Sequence, residues 1–255
     1  MKSSHKTIEK RRKKLIALLK EKHTLLVTEI SSHLQVSEIT VRRDLIALEK
    51  MGLVKRQHGK AQLIEKNSDK EVNEEIEGLK NAIAKKAAEF VHEGNTLFVN
   101  TGTTALAALK YLENKRVTIV SNNVKVAGLE HNPNSTVILS GGEIRYPKEA
   151  LVGDIAIDSF SKMSSDISIL GCSGLSVENG ITTSVLHESK INSLIIERTK
   201  GLVIVVADYR KIGFSSNFTS GHLKDVNYLI TDTFADPEVL RSIEKQGVQV
   251  IQIEV

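Results

Sequence analysis

The 255 residues include one cysteine, Cys172, so no disulfide can form within the chain and a cytosolic location is expected. No apolar run reaches the roughly 18 residues that suggest a membrane span. The N-terminus is basic and carries no leader-like apolar stretch, so neither a membrane anchor nor a signal peptide is expected. The eight histidines show no metal-ligand spacing, and His131 and His187 read as surface or polar packing residues. Neither a metal nor a cofactor is expected. Cys172 has no histidine beside it in sequence to activate the thiol, and a lone cysteine at a strand end reads as a small buried residue.

Charge is present, and it is divided. Residues 1–66 hold 16 Lys and Arg against 7 Asp and Glu, a net of +9, while the remainder holds 19 against 24, a net of −5. A basic first quarter followed by an acidic body places any nucleic-acid contact in the first part.

The first part has a recognisable grammar. Ser37 is a helix N-cap residue, whose hydroxyl can accept from an orphan N–H of the first turn. In the helix it starts, Val41, Leu45 and Leu48 form one buried stripe, and Glu38, Arg42 and Arg43 project from other faces. Val27, Ile30, Ser31 and Leu34 mark a second amphipathic helix, separated from Ser37 only by Gln35 and Val36. Two helices across so short a turn form a helix-turn-helix, whose second helix enters the major groove. A helix from about Thr7 to Lys20 closes the core with Ile8, Leu15, Ile16, Leu18 and Leu19, and Lys10 to Lys14 form a basic run at its start. After Gly52, which ends the recognition helix, Leu53 to Lys60 reads as a short basic hairpin or wing.

Ser37-Glu-Ile-Thr-Val-Arg-Arg-Asp-Leu, Leu48-Glu49, Gly52-Leu53, Arg56 and His58-Gly59 resemble the N-terminal signature of the DeoR-type bacterial regulators of sugar metabolism. Lys60 departs from the second glycine usual there and adds a charge that could reach a phosphate. The expected DNA contacts are Ser37, Thr40, Arg42 and Arg43 from the recognition helix, with Lys55, Arg56 and Lys60 on flanking phosphates.

Domain organisation follows composition. Residues 1–64 form the winged helix-turn-helix unit, 65–78 a linker rich in Asn, Ser, Lys and Glu, and 79–255 an α/β domain. In that domain helical patterns (Ile83 to Val91, 123–130, 185–197, 237–246) alternate with apolar strands at 96–99, 117–120, 136–139, 167–170, 202–207, 228–230 and 248–253. The alternation predicts a mostly parallel sheet covered on both faces, with ligands beyond the carboxyl ends of its strands.

Small polar loops follow those strand ends: Asn100-Thr101-Gly102-Thr103-Thr104, Ser121-Asn122-Asn123, Ser140-Gly141-Gly142, Gly171-Cys172-Ser173-Gly174 and Asp208-Tyr209-Arg210-Lys211. The Thr-Gly-Thr-Thr turn suits a phosphate, because Gly102 lets the backbone approach a ligand and the threonines offer hydroxyls, with Lys211 supplying charge. An ordinary strand-to-helix turn with capping threonines would look the same.

Taken in order, Thr101 to Thr104, Ser121-Asn122, Ser140 to Gly142, Gly180-Ile-Thr182 and Asp208 with Lys211 are similar to the C-terminal effector domain of the same family. The resemblance implies a fold like ribose 5-phosphate isomerase and a phosphorylated sugar or related metabolite as effector. It implies phosphate contacts from Thr101, Gly102, Thr103 and Thr104, with Lys211 near the ligand. Sugar contacts would come from Ser121, Asn122, Gly141, Gly142, Ser173, Gly174 and Asp208, and from Glu188 on the helix after Thr183. Cys172-Ser173 and Asn192 depart from residues common in related sequences.

The rival is a sugar phosphate isomerase with an added DNA-binding segment. An enediol mechanism needs a carboxylate base in the cleft. The Gly171 to Gly174 loop offers none, leaving Asp208 and Glu188 as candidates. The expected function is a repressor bound to double-stranded operator DNA as a homodimer or higher oligomer, since one recognition helix covers only a half-site.

Overall fold

The computed structural model describes residues 5–22, 24–50, 53–57, 59–63 and 68–254. The chain divides into two compact units, Met1–Glu74 and Glu75–Val255. Gly52, His58 and 64–67, to which the sequence assigns a helix end, part of the wing and part of the linker, lie outside the described residues.

The first unit runs α1 (His5–Lys22), β1 (Thr24–Leu26), α2 (Val27–Leu34), α3 (Glu38–Lys50), β2 (Val54–Gln57) and β3 (Lys60–Leu63). Leu15 and Leu19 of α1, Ile30 of α2 and Val41, Leu45 and Leu48 of α3 meet in one core with Val54 and Ala61 of the wing. Each fully buried leucine contributes on the order of 2 kcal/mol by burial alone. The α2–α3 turn is tight because Gln35 takes a left-handed conformation at φ 52°. Ser31 locks it, its hydroxyl donating to the Val36 carbonyl at 2.6 Å. Ser37 then caps α3, its Oγ accepting from the Thr40 N–H at 3.4 Å.

The wing is a three-stranded sheet in the order β1-β3-β2. β1, outside β3, is absent from the sequence reading. Three residues with only Leu25 buried offer no periodicity to read.

The second unit contributes α4 (Ser68–Glu89), β4 (Thr96–Val99), α5 (Thr103–Ala108), β5 (Thr118–Ser121), β6 (Thr136–Leu139), β7 (Glu143–Arg145), β8 (Ala150–Val152), α6 (Asp154–Lys162) and β9 (Ser165–Gly171). It continues with β10 (Gly174–Ser176), β11 (Gly180–Thr183), α7 (Leu186–Glu197), β12 (Thr199–Val206), β13 (Phe218–Gly221), β14 (Tyr228–Asp232), α8 (Pro237–Glu244) and β15 (Gln249–Ile253). Seven strands form a wholly parallel sheet in the order β15-β14-β12-β9-β4-β5-β6. One face buries Ile83, Ala84 and Ala87 of α4 against Leu97, Val99 and Ile169. The other packs Phe160, Ile191, Ile195 and Leu240 of α6, α7 and α8 over Phe98 and Val205, with Phe98 and Phe160 edge to face at 5.2 Å.

Three features differ from the sequence expectation. The segment 65–78, read as an irregular connection, is helical from Ser68 onward. Its charges hide the apolar register, because Ile76, Leu79 and Ile83 continue one helical face, with Leu79 buried. The helix expected over 123–130 is a single 3-10 stretch, Val124–Gly128, that buries only Val126. A second sheet, β10-β11-β13, and the β7-β8 hairpin are antiparallel additions; all five strands are three or four residues long, too short for a period to show, and those of the second sheet are interrupted by Gly or Ser.

Candidate functional site

The first unit presents a basic surface on α3 and the wing. Arg43 is exposed and has no hydrogen-bond or ion-pair partner among the described residues. Arg42 is exposed and pairs only with Glu38 at 3.4 Å, one turn back. Thr40 is half-buried, its hydroxyl 3.0 Å from Ser37 Oγ. Lys55 and Lys60 are exposed on β2 and β3. Arg56 is engaged differently: its backbone N–H and guanidinium both donate to the Glu49 carboxylate on α3. Those hydrogen bonds hold the Glu49 carboxyl below its ordinary range.

Two residues here were missed by sequence reasoning. Ile39, on the first turn of α3, is 67% exposed, an apolar side chain among polar ones. Asp44, on the same helix, is buried and accepts from both Arg11 and Arg12 of α1. Part of the basic run at the start of α1 is therefore spent inside the unit, fixing α1 to α3. An i, i+4 search within one helix could not find a pair separated by more than 30 positions.

The second unit builds its site at a topological switch. From β4 the chain moves outward through β5 to β6, then returns to place β9 on the other side of β4. Ligands in open parallel sheets bind outside the carboxyl ends at such a crevice. Here the two loops touch at glycines: a Cβ on Gly102 would lie 2.6 Å from Gly171 Cα. No other residue permits that approach. Asn100 pins the pair, its Oδ1 accepting from the N–H groups of Gly102 at 3.0 Å and Gly171 at 2.9 Å. Its amide donates to the Gly171 carbonyl at 2.8 Å and to Asn192 Oδ1 at 3.1 Å. Asn192 thus supports the loop from α7.

Beside these glycines lies a cleft of ≈ 130 Å³ that joins Thr103 and Thr104 to Asp208, Arg210 and Lys211, with Cys172 in the wall and Lys80 from α4. Three cations against one carboxylate give the lining a net of two positive charges. Asp208 is held by Arg210, which donates through Nε at 2.7 Å and NH2 at 2.8 Å. Burial alone would raise the Asp208 carboxyl; the Arg210 hydrogen bonds and charge, aided by Lys211, outweigh it and keep the group ionised below its ordinary range. The Lys211 ammonium makes no hydrogen bond or ion pair among the described residues. Burial pushes the Cys172 thiol up to about 12, so it stays protonated and un-nucleophilic.

Of the effector residues expected from sequence, the cleft brings together Gly102, Thr103, Thr104, Asp208 and Lys211. Thr101 is buried beneath the turn. Ser121 is consumed, donating to the Val99 carbonyl at 2.7 Å and accepting from the Asn123 N–H at 3.0 Å. Asn122 donates to the Leu151 carbonyl at 3.3 Å and keeps a buried Oδ1 with no partner. Gly141 and Gly142 pack on α6 and β8, with Val152 O 2.4 Å from where a Gly142 Cβ would stand. Ser173 accepts from the Ser184 N–H at 3.3 Å, and Gly174 opens β10 against the Phe214 backbone. Glu188 is buried and accepts from Thr183 Oγ1 and Lys148 Nζ, both at 3.0 Å. None of these lines the cleft. A larger groove of ≈ 580 Å³ at the amino ends of β12 and β14, lined by Glu197, Asn227 and His222 among others, contains none of the predicted site residues. Strand polarity and charge therefore favour the smaller cleft.

Lys80 and Arg210 were not among the expected site residues. Arg210 lies in the same strand-end loop as Lys211. Lys80 lies on α4, before the first strand, and no strand-end loop points to it. Among the described residues no group of three or more metal-ligating side chains occurs, and no helix is long and apolar enough to cross a membrane.

Comparison with known proteins covers both units. Residues 11–67 match the DeoR-like helix-turn-helix domain and residues 76–233 the DeoR C terminal sensor domain. The HTH-type transcriptional regulator GlpR of Haloferax volcanii is 33% identical over 248 residues, 94% of this chain and 96% of that protein. The glycerol-3-phosphate regulon repressor of Escherichia coli is 31% identical over 242 residues, 92% of this chain and 95% of its own length. Among solved structures, ribose 5-phosphate isomerase from Plasmodium falciparum matches at a TM-score of 0.37 and 18% identity, over 52% of each chain.

Proposed function

The chain belongs to the DeoR family of DNA-binding transcriptional regulators, and from that membership we propose that it represses genes of carbohydrate metabolism under the control of a phosphorylated sugar or related metabolite seated in the Thr103–Lys211 cleft. The observation that carries the reading is the cleft's excess of two positive charges at the sheet's switch point, with a Lys211 ammonium in it that makes no hydrogen bond or ion pair among the described residues. A phosphate dianion matches that charge, and two threonines beside two glycines leave room for it.

The phosphate contacts are Thr103, Thr104, Lys80 and Lys211, with Arg210 engaged through Asp208. Thr101, Ser121, Gly141, Gly142 and Gly174 act by shaping the loops, while Asn122, Ser173 and Glu188 remain candidates for the sugar hydroxyls. The isomerase alternative loses its base: Asp208 is ion-paired and Glu188 is tied to Thr183 and Lys148. The relatives are named as regulators.

On the DNA side Arg42, Arg43 and Thr40 reach base edges, Ser37 touches the backbone, and Ile39 offers an apolar contact to a thymine methyl. Lys55 and Lys60 hold phosphates. A two-fold operator requires at least a dimer, acting in the cytoplasm.

The test is thermal unfolding of the full chain against sugar phosphates, glycerol 3-phosphate, the free sugars and inorganic phosphate. Binding to the folded state must raise the midpoint with concentration. A rise with one phosphorylated compound, absent for its free sugar and lost in Lys211→Ala, supports the reading. An equal rise with the free sugar removes the phosphate from it.

A further inference from the structure

Helix α4 carries a weak point that the effector reading leaves unused. Gly78 lies inside the helix, where glycine is the poorest helix former after proline. No atom stands within 4 Å of where its Cβ would be, so packing does not require the glycine. Glu77 and Lys80 bracket it. The Lys80 ammonium donates to Glu77 Oε1 at 2.6 Å, an i, i+3 pair that spans Gly78 as a clasp. The two ends differ: Glu77 is 61% exposed, whereas Lys80 is 17% exposed and lines the cleft with Thr103, Thr104 and Lys211. The boundary between the two units falls just upstream, between Glu74 and Glu75, in the same helix.

We propose that Lys80 is a two-position switch that reports phosphate in the cleft to α4. Its ammonium holds either Glu77 or phosphate. The Glu77 carboxylate is exposed and screened by water, so it holds the Lys80 ammonium weakly, whereas a phosphate beside Lys211 offers two charges and three acceptors. Phosphate in the cleft therefore draws Lys80 off Glu77, opens the clasp across Gly78 and loosens α4 next to the boundary. This rests on the cleft being a phosphate site. Linkage makes the coupling reciprocal: whatever opens the clasp tightens phosphate binding by the same factor.

The experiment uses the full chain, with inorganic phosphate as probe at constant ionic strength, and reads two quantities. The unfolding midpoint reports binding; amide hydrogen exchange over residues 75–82 reports α4. In the wild type phosphate should raise the midpoint and speed exchange in 75–82. Glu77→Gln should exchange fast without phosphate, show no further response, and bind phosphate about two- to fivefold tighter, the range a surface ion pair can supply. Gly78→Ala should keep its phosphate-dependent midpoint and lose the exchange response. A midpoint that rises with exchange in 75–82 unchanged or slowed would overturn the switch and leave the cleft standing. A midpoint that phosphate does not move would overturn both.

Discussion

Asp44 is 2% exposed, with two arginines of α1 closing on its carboxylate. Removing one member of a buried ion pair leaves the other unsatisfied and costs about 3–5 kcal/mol. Arg12 keeps 30% of its side chain in water, so the loss here should be about 2 kcal/mol. Asp44→Ala is expected to lower the unfolding free energy measured in urea by that amount and to weaken DNA binding by releasing α3 from α1; an unchanged stability would show the pair to be incidental. Asp208 gives a pH-dependent counterpart. Its folded carboxyl titrates below the ordinary value of 3.8 because Arg210 and Lys211 more than offset burial. A depressed carboxyl contributes stability that is present above about pH 4 and is lost as pH falls through the folded value. The stability gap between wild type and Asp208→Asn should accordingly be full near neutral pH and shrink under acid, measured by unfolding midpoints across that window. A gap that grew under acid would reverse the assigned sign. Neither Asp44 nor the Asp208–Arg210 fork could have been read from composition. In both cases the meaning of the charge lies in what stands opposite it.

Elements show the limits of pattern reading more sharply. The recognition helix was legible because Ser37, Val41, Leu45 and Leu48 place a cap and a stripe at helical spacing, and the structure buries those three apolar residues. The seven parallel strands were legible for a related reason. Buried on both faces, they appear as short apolar runs such as Leu97, Phe98 and Val99. The β10-β11-β13 sheet was not, because Gly174, Ser176, Gly180 and Ser220 break any alternation and β13 pairs with β11 across the whole of α7 and β12. In the cleft, Thr103, Thr104 and Lys211 were expected from loop chemistry and Asp208 from the family resemblance. Lys80 was missed because it arrives from another element. The turn between α2 and α3 offers a clean test at this scale. Gln35 pays for its left-handed backbone in steric strain. Gln35→Gly should raise stability by about 0.5–1 kcal/mol in urea unfolding, less the entropy glycine adds to the unfolded chain. A loss would mean that the Gln35 side chain supports the turn.

At the scale of the whole molecule the division of charge organises function. A net of +9 in residues 1–66 and −5 in the rest confines the DNA-facing potential to the first unit. Binding to the phosphate backbone should therefore be steeply salt-dependent, with each contact adding about 0.9 to the slope of log affinity against log salt. The wing separates two kinds of basic residue that sequence treats alike. Lys55 is exposed, with no hydrogen-bond or ion-pair partner among the described residues, and Lys55→Ala should lower the slope by about one. Arg56 is already neutralised by Glu49, so a phosphate can gain it only by displacing that carboxylate. Arg56→Ala should change the slope by clearly less than Lys55→Ala, and Glu49→Gln, which frees the guanidinium, should steepen it. Binding titrations on operator DNA at several salt concentrations would decide the matter. If Arg56→Ala removed a full contact while Glu49→Gln did nothing, the guanidinium would already be serving the DNA. The Glu49 pair would then be a resting contact exchanged on binding.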